Sequence, residues 1–503
     1  MRALVFLAAF ALYLPTARFT FVQDDRLIIE HNPTAHSLGM AVRGFGEPYW
    51  PPPNQGGLYR PLTILSYAVD WQLGGGRAWL FHIMNAAWGG LAALLVVLLV
   101  VPWLGEPAAI GVGLVFALHP VHVEAVAGIV GRADLLAAVG IFGSVLCARR
   151  RAWTAATLCA ICAMFSKEYG VAAGPLILVD DLLRRGETRR YPPGFYASLA
   201  LATAAFLLAW ARIGSAGAGD VAPALLGAGP AGRLAVALPA VARAAWLLVW
   251  PSDLSADYGP QVIPSYSGVS PAALAGLVVV AATLCVAFLA RRRQPALTLA
   301  LVAGAVCYLP TSNLLFPSGV VLAERNLYVT VLIVAVLVGC GVQYAGARWS
   351  ARTTTLAMAV LCGVLAVRSA TRISAWRDNR TFLLTLLAEH PESYHAHASA
   401  AAVLAGTHDT ADARAEYARA DSLFPGDPHE IGAYALFLAE LKDSGAVALA
   451  ARARALRPRE ENAVRAQFLI AVQRGDRLVA QALADSAGSW YEWSKPWFQG
   501  YLR

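Results

Sequence analysis

Charged residues are scarce in this sequence: they make up 14% of its 503 residues, against about 25% in an average soluble domain. Only three lysines occur, Lys167, Lys442 and Lys495, so nearly all of the basic charge is arginine. This shortage excludes an ordinary soluble enzyme and an intrinsically disordered chain. Hydrophobic residues are abundant instead, at 58%, and they cluster in runs close to the roughly 20 residues that a membrane-spanning helix needs. The sequence therefore predicts a polytopic membrane protein.

Disulfide bonds and a nucleic-acid surface are not indicated either. The seven cysteines lie in apolar segments, where free cysteine behaves as a small buried hydrophobe. Cys159 and Cys162 form a C-x-x-C sequence without nearby histidines, which favours packed thiols over a metal site. The net charge of +8 is divided into short arginine clusters between apolar runs, whereas nucleic-acid binding uses a basic patch or stripe on one face. We therefore expect no nucleic-acid partner.

The arginine clusters predict the orientation of the chain in the membrane. Such clusters are typical of cytoplasmic loops, and they lie at 149–151, 184–190, 291–293 and 348–352. Residues 231–250 carry Arg233, Pro239 and Arg243, which suits a helix lying on the membrane surface. With the amino terminus inside and this helix interfacial, eleven spans place every cluster in the cytoplasm and the loop 20–78 outside. The spans are predicted at about 1–19, 79–103, 107–124, 132–148, 152–166, 170–183, 194–211, 271–290, 296–311, 327–346 and 353–368.

The carboxyl-terminal part, residues 371–503, is more polar than the predicted membrane domain, residues 1–370. Prolines recur there at spacings of 34 and 33 residues, at Pro391, Pro425 and Pro458, which is the tetratricopeptide period. The second-helix positions that require small or aromatic residues hold Ala413, Tyr417, Ala420, Ala446 and Ala453. We predict a small domain of helical hairpins with a concave peptide-binding surface; a generic alanine-rich hairpin is the alternative.

Two adjacent carboxylates, Asp24 and Asp25, follow the first predicted span. Adjacent carboxylates repel each other unless they are hydrogen-bonded or paired with a cation, and ionisable groups at a membrane edge are functional candidates. Because neighbouring side chains point in different directions, we expect different roles. One would act as a general base, and the other would orient a group or hold a metal. The alternative is a pair that caps the first span.

A histidine-rich motif lies at the predicted outward turn between the third and fourth spans. His119, His122 and Glu124 have a spacing that could suit a divalent metal. However, Pro120 interrupts the helix, and no further ligand is obvious. Contact with sugar hydroxyls or phosphate is the favoured interpretation, and a purely structural network is the third.

Further charged residues gather on the same predicted side; they are Arg60, Arg132, Asp134, Lys167, Glu168 and Arg325. A lysine next to a glutamate can be an inert pair or a charge that neutralises phosphate. A cation for a phosphate leaving group and a carboxylate for the acceptor's proton are what a transferase using a lipid-phosphate sugar needs. A transporter is disfavoured because no paired broken helices are visible.

The motifs stand in a defined order along the chain. They are Val22-Gln23-Asp24-Asp25, Arg60-Pro61-Leu62-Thr63, Phe81-His82 with Asn85, His119 through Gly128 with Gly131-Arg132-Ala133-Asp134, Lys167-Glu168, and Ser312-Asn313 with Ala323-Glu324-Arg325 and Leu327-Tyr328. In this order, and with the repeats that follow, they resemble the transmembrane and tetratricopeptide-repeat O-mannosyltransferases. The resemblance covers about residues 20–460, and its most specific part runs from His119 to Asp134.

The resemblance implies a multispanning glycosyltransferase of the C fold class that uses a polyprenyl-phosphate sugar, with mannose as the expected sugar. It implies inverting transfer to serine or threonine hydroxyls of proteins on the non-cytoplasmic face, with the repeats binding the acceptor. It places the catalytic carboxylate at Asp24 or Asp25, of which we prefer Asp24 as general base, with Asp25 orienting or sharing the proton. We assign binding of the donor phosphate and sugar to Arg60, His119, His122, Glu124, Arg132, Asp134, Lys167, Glu168 and Arg325, and leave a divalent metal open as cofactor.

The arginine-rich, lysine-poor composition is usual in high-GC bacteria. We therefore expect a bacterial inner membrane, with the site and the repeats on the periplasmic side. Two alternatives stay open. One is sugar transfer to a lipid or polysaccharide acceptor, with the repeats binding a partner. The other is a non-catalytic membrane scaffold whose repeats recruit a periplasmic partner.

Overall fold

The computed structural model describes residues 1–51, 57–184, 190–214, 221–263, 270–490 and 494–502, which form helices and turns without β-strands. Most of the arginine cluster predicted at 184–190 lies outside these ranges, as does part of the loop 20–78. The helices up to residue 373 are α1 Arg2–Tyr13, α2 Leu38–Arg43, α3 Pro61–Gly74, α4 Ala78–Leu118, α5 Val123–Ala127, α6 Arg132–Arg149, α7 Trp153–Ser166, α8 Ala173–Leu183, α9 Pro193–Ala209, α10 Pro230–Val249, α11 Pro271–Ala290, α12 Pro295–Tyr308, α13 Val331–Gly346 and α14 Ala351–Ile373.

Within the described ranges, six helical segments are long and apolar enough to cross a membrane. They are Ala78–Leu118, Ile129–Arg149, Pro193–Gly214, Pro230–Val249, Pro271–Ala290 and Ala351–Trp376. Shorter apolar helical segments accompany them, at Trp153–Ser166, Pro295–Thr311 and Val331–Gly346. The prediction of an all-α polytopic protein is confirmed, whereas the count of eleven spans stays a prediction.

Helix α4 consists of two halves that turn back on each other. Gly105 has φ = 72°, a left-handed conformation that glycine adopts without steric cost. A Cβ atom on Gly113 would lie 2.3 Å from Cγ2 of Val97, so the two halves pack closely together. They correspond to the separate spans predicted at 79–103 and 107–124.

The turn after α4 begins earlier than predicted, because the helix ends at Leu118 and not near residue 124. His119 has an extended backbone, as expected for the residue before a proline. The turn folds tightly on itself: a Cβ atom on Gly131 would lie 2.3 Å from the carbonyl oxygen of Ala125. Only glycine fits there, so this residue allows α6 to start directly beside α5.

Ion pairs and hydrogen bonds join loops to one another at both ends of the helix bundle. We call them the arginine end, where the arginine-rich loops lie, and the polar end, where the turns with the sequence motifs lie. At the arginine end, Arg2 contacts Glu106 at 2.9 Å and Arg149 contacts Asp180 at 2.6 Å. At the polar end, hydrogen bonds join the turns at 19–26, 119–131, 166–172 and 309–328. This division of the loops agrees with the predicted topology, while the assignment of the arginine end to the cytoplasm stays a prediction.

Helix α10 is the stretch that we predict to be interfacial. Just before it, the backbone N–H of Ala222 donates to the carbonyl of Ser318 at 2.9 Å. Near its end, the carbonyl of Leu248 accepts from Nε2 of His119 at 3.0 Å. Both partners belong to the polar end, which agrees with a helix lying along that end. Because α10 is also long enough to cross a membrane, its interfacial placement stays a prediction.

After α14 the chain folds into antiparallel helix pairs. The helices are α15 Asn379–Glu389, α16 Tyr394–Gly406, α17 Thr410–Leu423, α18 Pro428–Glu440, α19 Gly445–Leu456, α20 Glu461–Gln473, α21 Arg477–Trp490 and α22 Lys495–Leu502. Side chains of Asp378, Ser393 and Asp427 cap the starts of three of them, which satisfies backbone N–H groups that a helix start leaves free.

The repeat prolines end the second helix of each pair. Helices α15, α17 and α19 each stop two residues before one of them, since proline cannot continue a helix. The small and aromatic positions of α17 and α19 are buried as expected; they are Ala413, Tyr417, Ala420, Ala446 and Ala453. The domain boundary at residue 370 stays a prediction, because α14 continues to Ile373.

Candidate functional site

Asp25 fixes the loop after α1 to the turn before α6. Its Oδ1 accepts a hydrogen bond from the N–H of Val130 at 2.8 Å, and its Oδ2 accepts from Val22 at 3.1 Å and Ile129 at 3.4 Å. Burial raises the pKa of Asp25 to about 7, with these N–H groups acting in the opposite direction and Asp24 raising it. Because both oxygens are used internally, Asp25 is suited to position the loop.

Asp24 differs from its neighbour in being unpaired. It is partly exposed, and its carboxylate makes no hydrogen bond or ion pair with any residue in the described ranges. The preceding Gln23 has φ = 52°, and its N–H donates to Oδ1 of Asn379 at 2.8 Å. The loop thus buries the carboxylate of Asp25 and leaves that of Asp24 partly exposed. This difference agrees with the expectation that the two carboxylates have different roles.

Arg325 brings a positive charge to the same place. Its Nη1 donates to Oε1 of Glu124 at 2.7 Å, and its backbone N–H donates to Oε2 at 2.8 Å. Burial acts to lower the pKa of Arg325, but Glu124, Asp24 and Asp134 raise it above its ordinary value. The side chain is 31% exposed. Glu124 therefore holds Nη1 of the guanidinium, while Nε and Nη2 make no hydrogen bond with any described residue and suit an anion.

These groups line a cavity of about 280 Å³ between the bundle and the first helices after it. Asp24 and Arg325 lie on the bundle side, while Trp376, Phe382 and His395 lie on the other. The volume is near the lower end of small-molecule sites, about 300 Å³. The cavity combines an unpaired carboxylate, a partly free guanidinium and an apolar wall, which suits proton transfer next to an anionic leaving group.

Two residues that belong to none of the sequence motifs, Asp257 and His395, also line this cavity. Asp257 accepts from Oγ of Ser393 at 2.6 Å and lies 3.2 Å from Nδ1 of His395. Burial acts to lower the pKa of His395, but Asp257 and Asp427 raise it to about 10. The one available signal was the position of Asp257 in a predicted outward loop, since its pairing depends on tertiary structure.

Arg60 and Glu168 form an ion pair of their own. Nε of Arg60 lies 3.1 Å from each Glu168 oxygen, and Nη2 lies 2.8 Å from Oε2. The guanidinium also lies over the ring of Tyr49, at 5.0 Å from its centroid. Neither residue lines the 280 Å³ cavity. Their part in donor binding therefore stays a prediction.

Lys167, Asp134 and Arg132 are internal. Nζ of Lys167 contacts both oxygens of Asp134 at 2.7 Å and Oδ1 of Asn326 at 3.1 Å, which uses its three donors. Arg132 is fully buried; it pairs with Asp70 on α3 at 2.5 Å and donates to two acceptors on α4. The geometry favours the inert-pair alternative for Lys167 and a structural role for Arg132 over the predicted contact with a donor.

His119 and His122 each contact a backbone carbonyl oxygen of another segment. Nε2 of His119 lies 3.0 Å from the carbonyl oxygen of Leu248, and Nε2 of His122 lies 3.0 Å from that of Tyr328. Both rings are buried, and Glu124 pairs with Arg325 at 2.7 Å. These contacts agree with the structural-network interpretation, while the part of this motif in donor binding stays a prediction. In the part of the chain that the structure describes, the group suited to a metal is His395, Asp427 and Glu430.

The raised pKa of Asp25 predicts a pH-dependent stability. The native state holds this proton more tightly than the unfolded chain, whose pKa is near 3.8. The stabilising contribution is therefore complete below about pH 4 and is lost as the pH rises through about 7. The other titrating groups are the same in the wild type and in Asp25→Asn. We therefore expect the melting temperature of the wild type in detergent, relative to that of Asp25→Asn, to fall as the pH rises through about 7. Parallel curves for the two proteins would contradict the prediction.

The fold defines a class, the all-α polytopic membrane proteins. At one end of its helix bundle, a carboxylate and a guanidinium line a cavity whose other wall comes from the helices after the bundle. The chain is similar to protein O-mannosyl-transferase Tmtc2 of Drosophila melanogaster, with 41% identity over 141 residues, or 26% of this chain and 15% of that protein. It is 29% identical to human protein O-mannosyl-transferase TMTC4 over 404 residues, covering 67% of this chain and 54% of that one.

A third relative covers more of the chain. Protein O-mannosyl-transferase F38B6.6 of Caenorhabditis elegans is 25% identical over 432 residues, or 82% of this chain and 61% of its own length. The chain thus spans less than two thirds of the curated relatives it matches. No model of a known protein family matches the chain, and no solved structure matches it.

Proposed function

We propose that this chain is a membrane O-mannosyltransferase that moves mannose from a polyprenyl-phosphate donor to serine or threonine hydroxyls of proteins. The observation that carries the proposal is Asp24, whose carboxylate has no partner among the described residues and lines a cavity together with Arg325. The names of the three relatives give the reaction type. The donor lipid, the acceptor and the side of the membrane belong to the proposal.

In the proposed step, Asp24 takes up the proton that is released, and the phosphate takes up the electron pair of the bond that breaks. Asp24 accepts the proton of the acceptor hydroxyl, whose oxygen forms a bond to the anomeric carbon of the sugar. The bond between that carbon and the phosphate oxygen breaks, and the phosphate leaves with the electron pair. Arg325 meets the charge that develops on the leaving phosphate. Attack opposite the leaving group inverts the anomeric configuration, through a state with oxocarbenium character.

The walls of the cavity support a protein acceptor. One wall comes from the bundle, and the other includes His395 and Ser399 of the first repeat pair. A peptide held on the repeats would therefore lie beside Asp24. Trp376 and Phe382 add an apolar surface that suits the side chains next to the reacting hydroxyl.

The experiment is to incubate the purified full chain with labelled polyprenyl-phosphate mannose and a serine- and threonine-containing peptide, with and without a chelator. The proposal expects label in the peptide with inverted configuration. Label that enters a lipid or glycan acceptor added alongside, and not the peptide, would support the alternative acceptor. Absence of transfer to any acceptor, with donor intact, would support the scaffold. The chelator tests the metal requirement.

Arg325→Gln is expected to lower kcat by about 10²- to 10³-fold, because the variant loses the charge that meets the leaving phosphate. Arg325→Lys should recover part of the loss, since a point charge replaces the guanidinium. Arg377→Gln is the matched control, because Arg377 is exposed at the same end and does not line the cavity. Steady-state kinetics with the labelled donor measure the effect. Equal kcat values for Arg325→Gln and the control would remove Arg325 from the mechanism.

A further inference from the structure

A second and larger cavity lies on the other side of the loop 19–26. Its volume is about 560 Å³, twice that of the cavity at Asp24. Three arginines line it, Arg18, Arg26 and Arg77, with Glu30 as the one carboxylate. Arg26 pairs with Glu30 at 3.1 Å, whereas Arg18 and Arg77 make no ion pair within the described ranges. The cavity therefore carries a positive charge that its own residues leave unbalanced.

The cavity adjoins the ends of two apolar helical segments, α1 and α4. Arg18 ends the short turn that follows α1, and α1 exposes the apolar residues Leu4 and Leu7. Arg77 immediately precedes α4, the longest apolar helical segment. Trp79, which is 41% exposed, lies at the start of that helix and lines the cavity. Arginine and tryptophan at the ends of apolar helices are typical of the boundary between acyl chains and head groups.

We propose that this cavity binds the phosphate head group of an anionic phospholipid of the surrounding bilayer. The guanidinium groups of Arg18 and Arg77 match phosphate oxygens with paired N–H donors. Trp79 and Phe19 supply the apolar surface that the glycerol and upper acyl chains need. The positive charge on this face selects an anionic lipid over a zwitterionic one.

The occupant is a bilayer lipid and not the reacting sugar donor. The two cavities share no lining residue, and the loop 19–26 stands between them. A donor whose phosphate sat on Arg18 would place its sugar away from Asp24 and Arg325. However, Asn379 lines the lipid cavity and also holds the N–H of Gln23. A bound lipid would therefore support the loop that presents Asp24.

The test measures lipid retained by the purified full chain, using native mass spectrometry after exposure to phosphatidylglycerol, phosphatidylcholine or polyprenyl phosphate. The wild type should retain phosphatidylglycerol in preference to phosphatidylcholine. The double variant Arg18→Gln/Arg77→Gln should weaken that binding by about tenfold or more, because two charge-assisted contacts are lost. Both residues are exposed, so the variant should keep its fold and its circular dichroism spectrum.

Arg43→Gln is the matched control, because Arg43 is an exposed arginine at the end of α2 that does not line the cavity. It should retain phosphatidylglycerol as the wild type does, and Arg18→Lys/Arg77→Lys should recover part of the binding. Equal retention by the glutamine double variant and the wild type would overturn the proposal. So would preferential binding of polyprenyl phosphate that the double variant abolishes, because the occupant would then be a polyprenyl lipid.

Discussion

Asp24→Asn is expected to reduce mannose transfer by about 10²- to 10⁴-fold, the range that a general base contributes. Asparagine keeps the shape of the side chain but cannot accept the proton of the acceptor hydroxyl. Because the Asp24 carboxylate has no partner in the described ranges, the substitution removes no internal contact. Thermal stability and donor binding should therefore stay close to those of the wild type. Single-turnover transfer to the peptide, measured beside a thermal unfolding curve, separates the two effects.

Two controls sharpen this experiment. Asp253→Asn changes an exposed carboxylate near the same end that does not line the cavity, and it should leave transfer unchanged. Asp25→Asn should lower stability and transfer together, because it disturbs the N–H contacts that hold the loop. Full transfer by Asp24→Asn would refute its assignment as base. A loss of transfer in Asp253→Asn of the same size would show that the assay reports a general charge effect.

Arg132→Leu is expected to destabilise the fold by about 3–5 kcal/mol, the cost of leaving a buried carboxylate without its cation. Arg132 is fully buried and pairs with Asp70, which is 2% exposed. The same guanidinium donates to Asn85 and to the carbonyl of Phe81 on α4. The variant therefore loosens three helices at once. Thermal unfolding in detergent, with the folded yield as a second readout, measures the effect.

The pairing can be isolated by a double-mutant cycle. Asp70→Leu combined with Arg132→Leu should recover part of the lost stability, because no uncompensated charge stays buried. Arg43→Leu replaces an exposed arginine and should change the melting temperature little. A melting temperature of Arg132→Leu equal to that of the Arg43→Leu control would show that the ion pair contributes no stability.

The helical architecture could be predicted because its signals are local. Runs of apolar residues define the membrane helices, and the prolines at 391, 425 and 458 stop the repeat helices where the spacing indicates. The presence of two different carboxylates at Asp24 and Asp25 was also predictable, because adjacent side chains diverge. The reversal at Gly105 was expected only as a gap between two apolar runs, and the left-handed glycine supplies its physical cause.

The roles of the cations could not be predicted, because each depends on a partner far away in sequence. Lys167 looks the same in sequence whether Asp134 consumes its donors or a phosphate does. Arg325 keeps N–H groups for an anion because Glu124 uses only one edge of it. Asp257 and His395 escaped notice for the same reason: neither lies in a motif, and they meet only when the repeats pack on the bundle.

The hydrogen bond between Gln23 and Asn379 has a consequence for how this chain can be divided. The N–H of Gln23 and that of Thr20 both end on acceptors beyond α14, at Asn379 and at the carbonyl of Arg377. The residues after α14 thus hold the loop that carries Asp24 in its conformation by accepting its N–H groups. A chimera with foreign repeats would need an acceptor at the position of Asn379 to keep this loop in its present conformation.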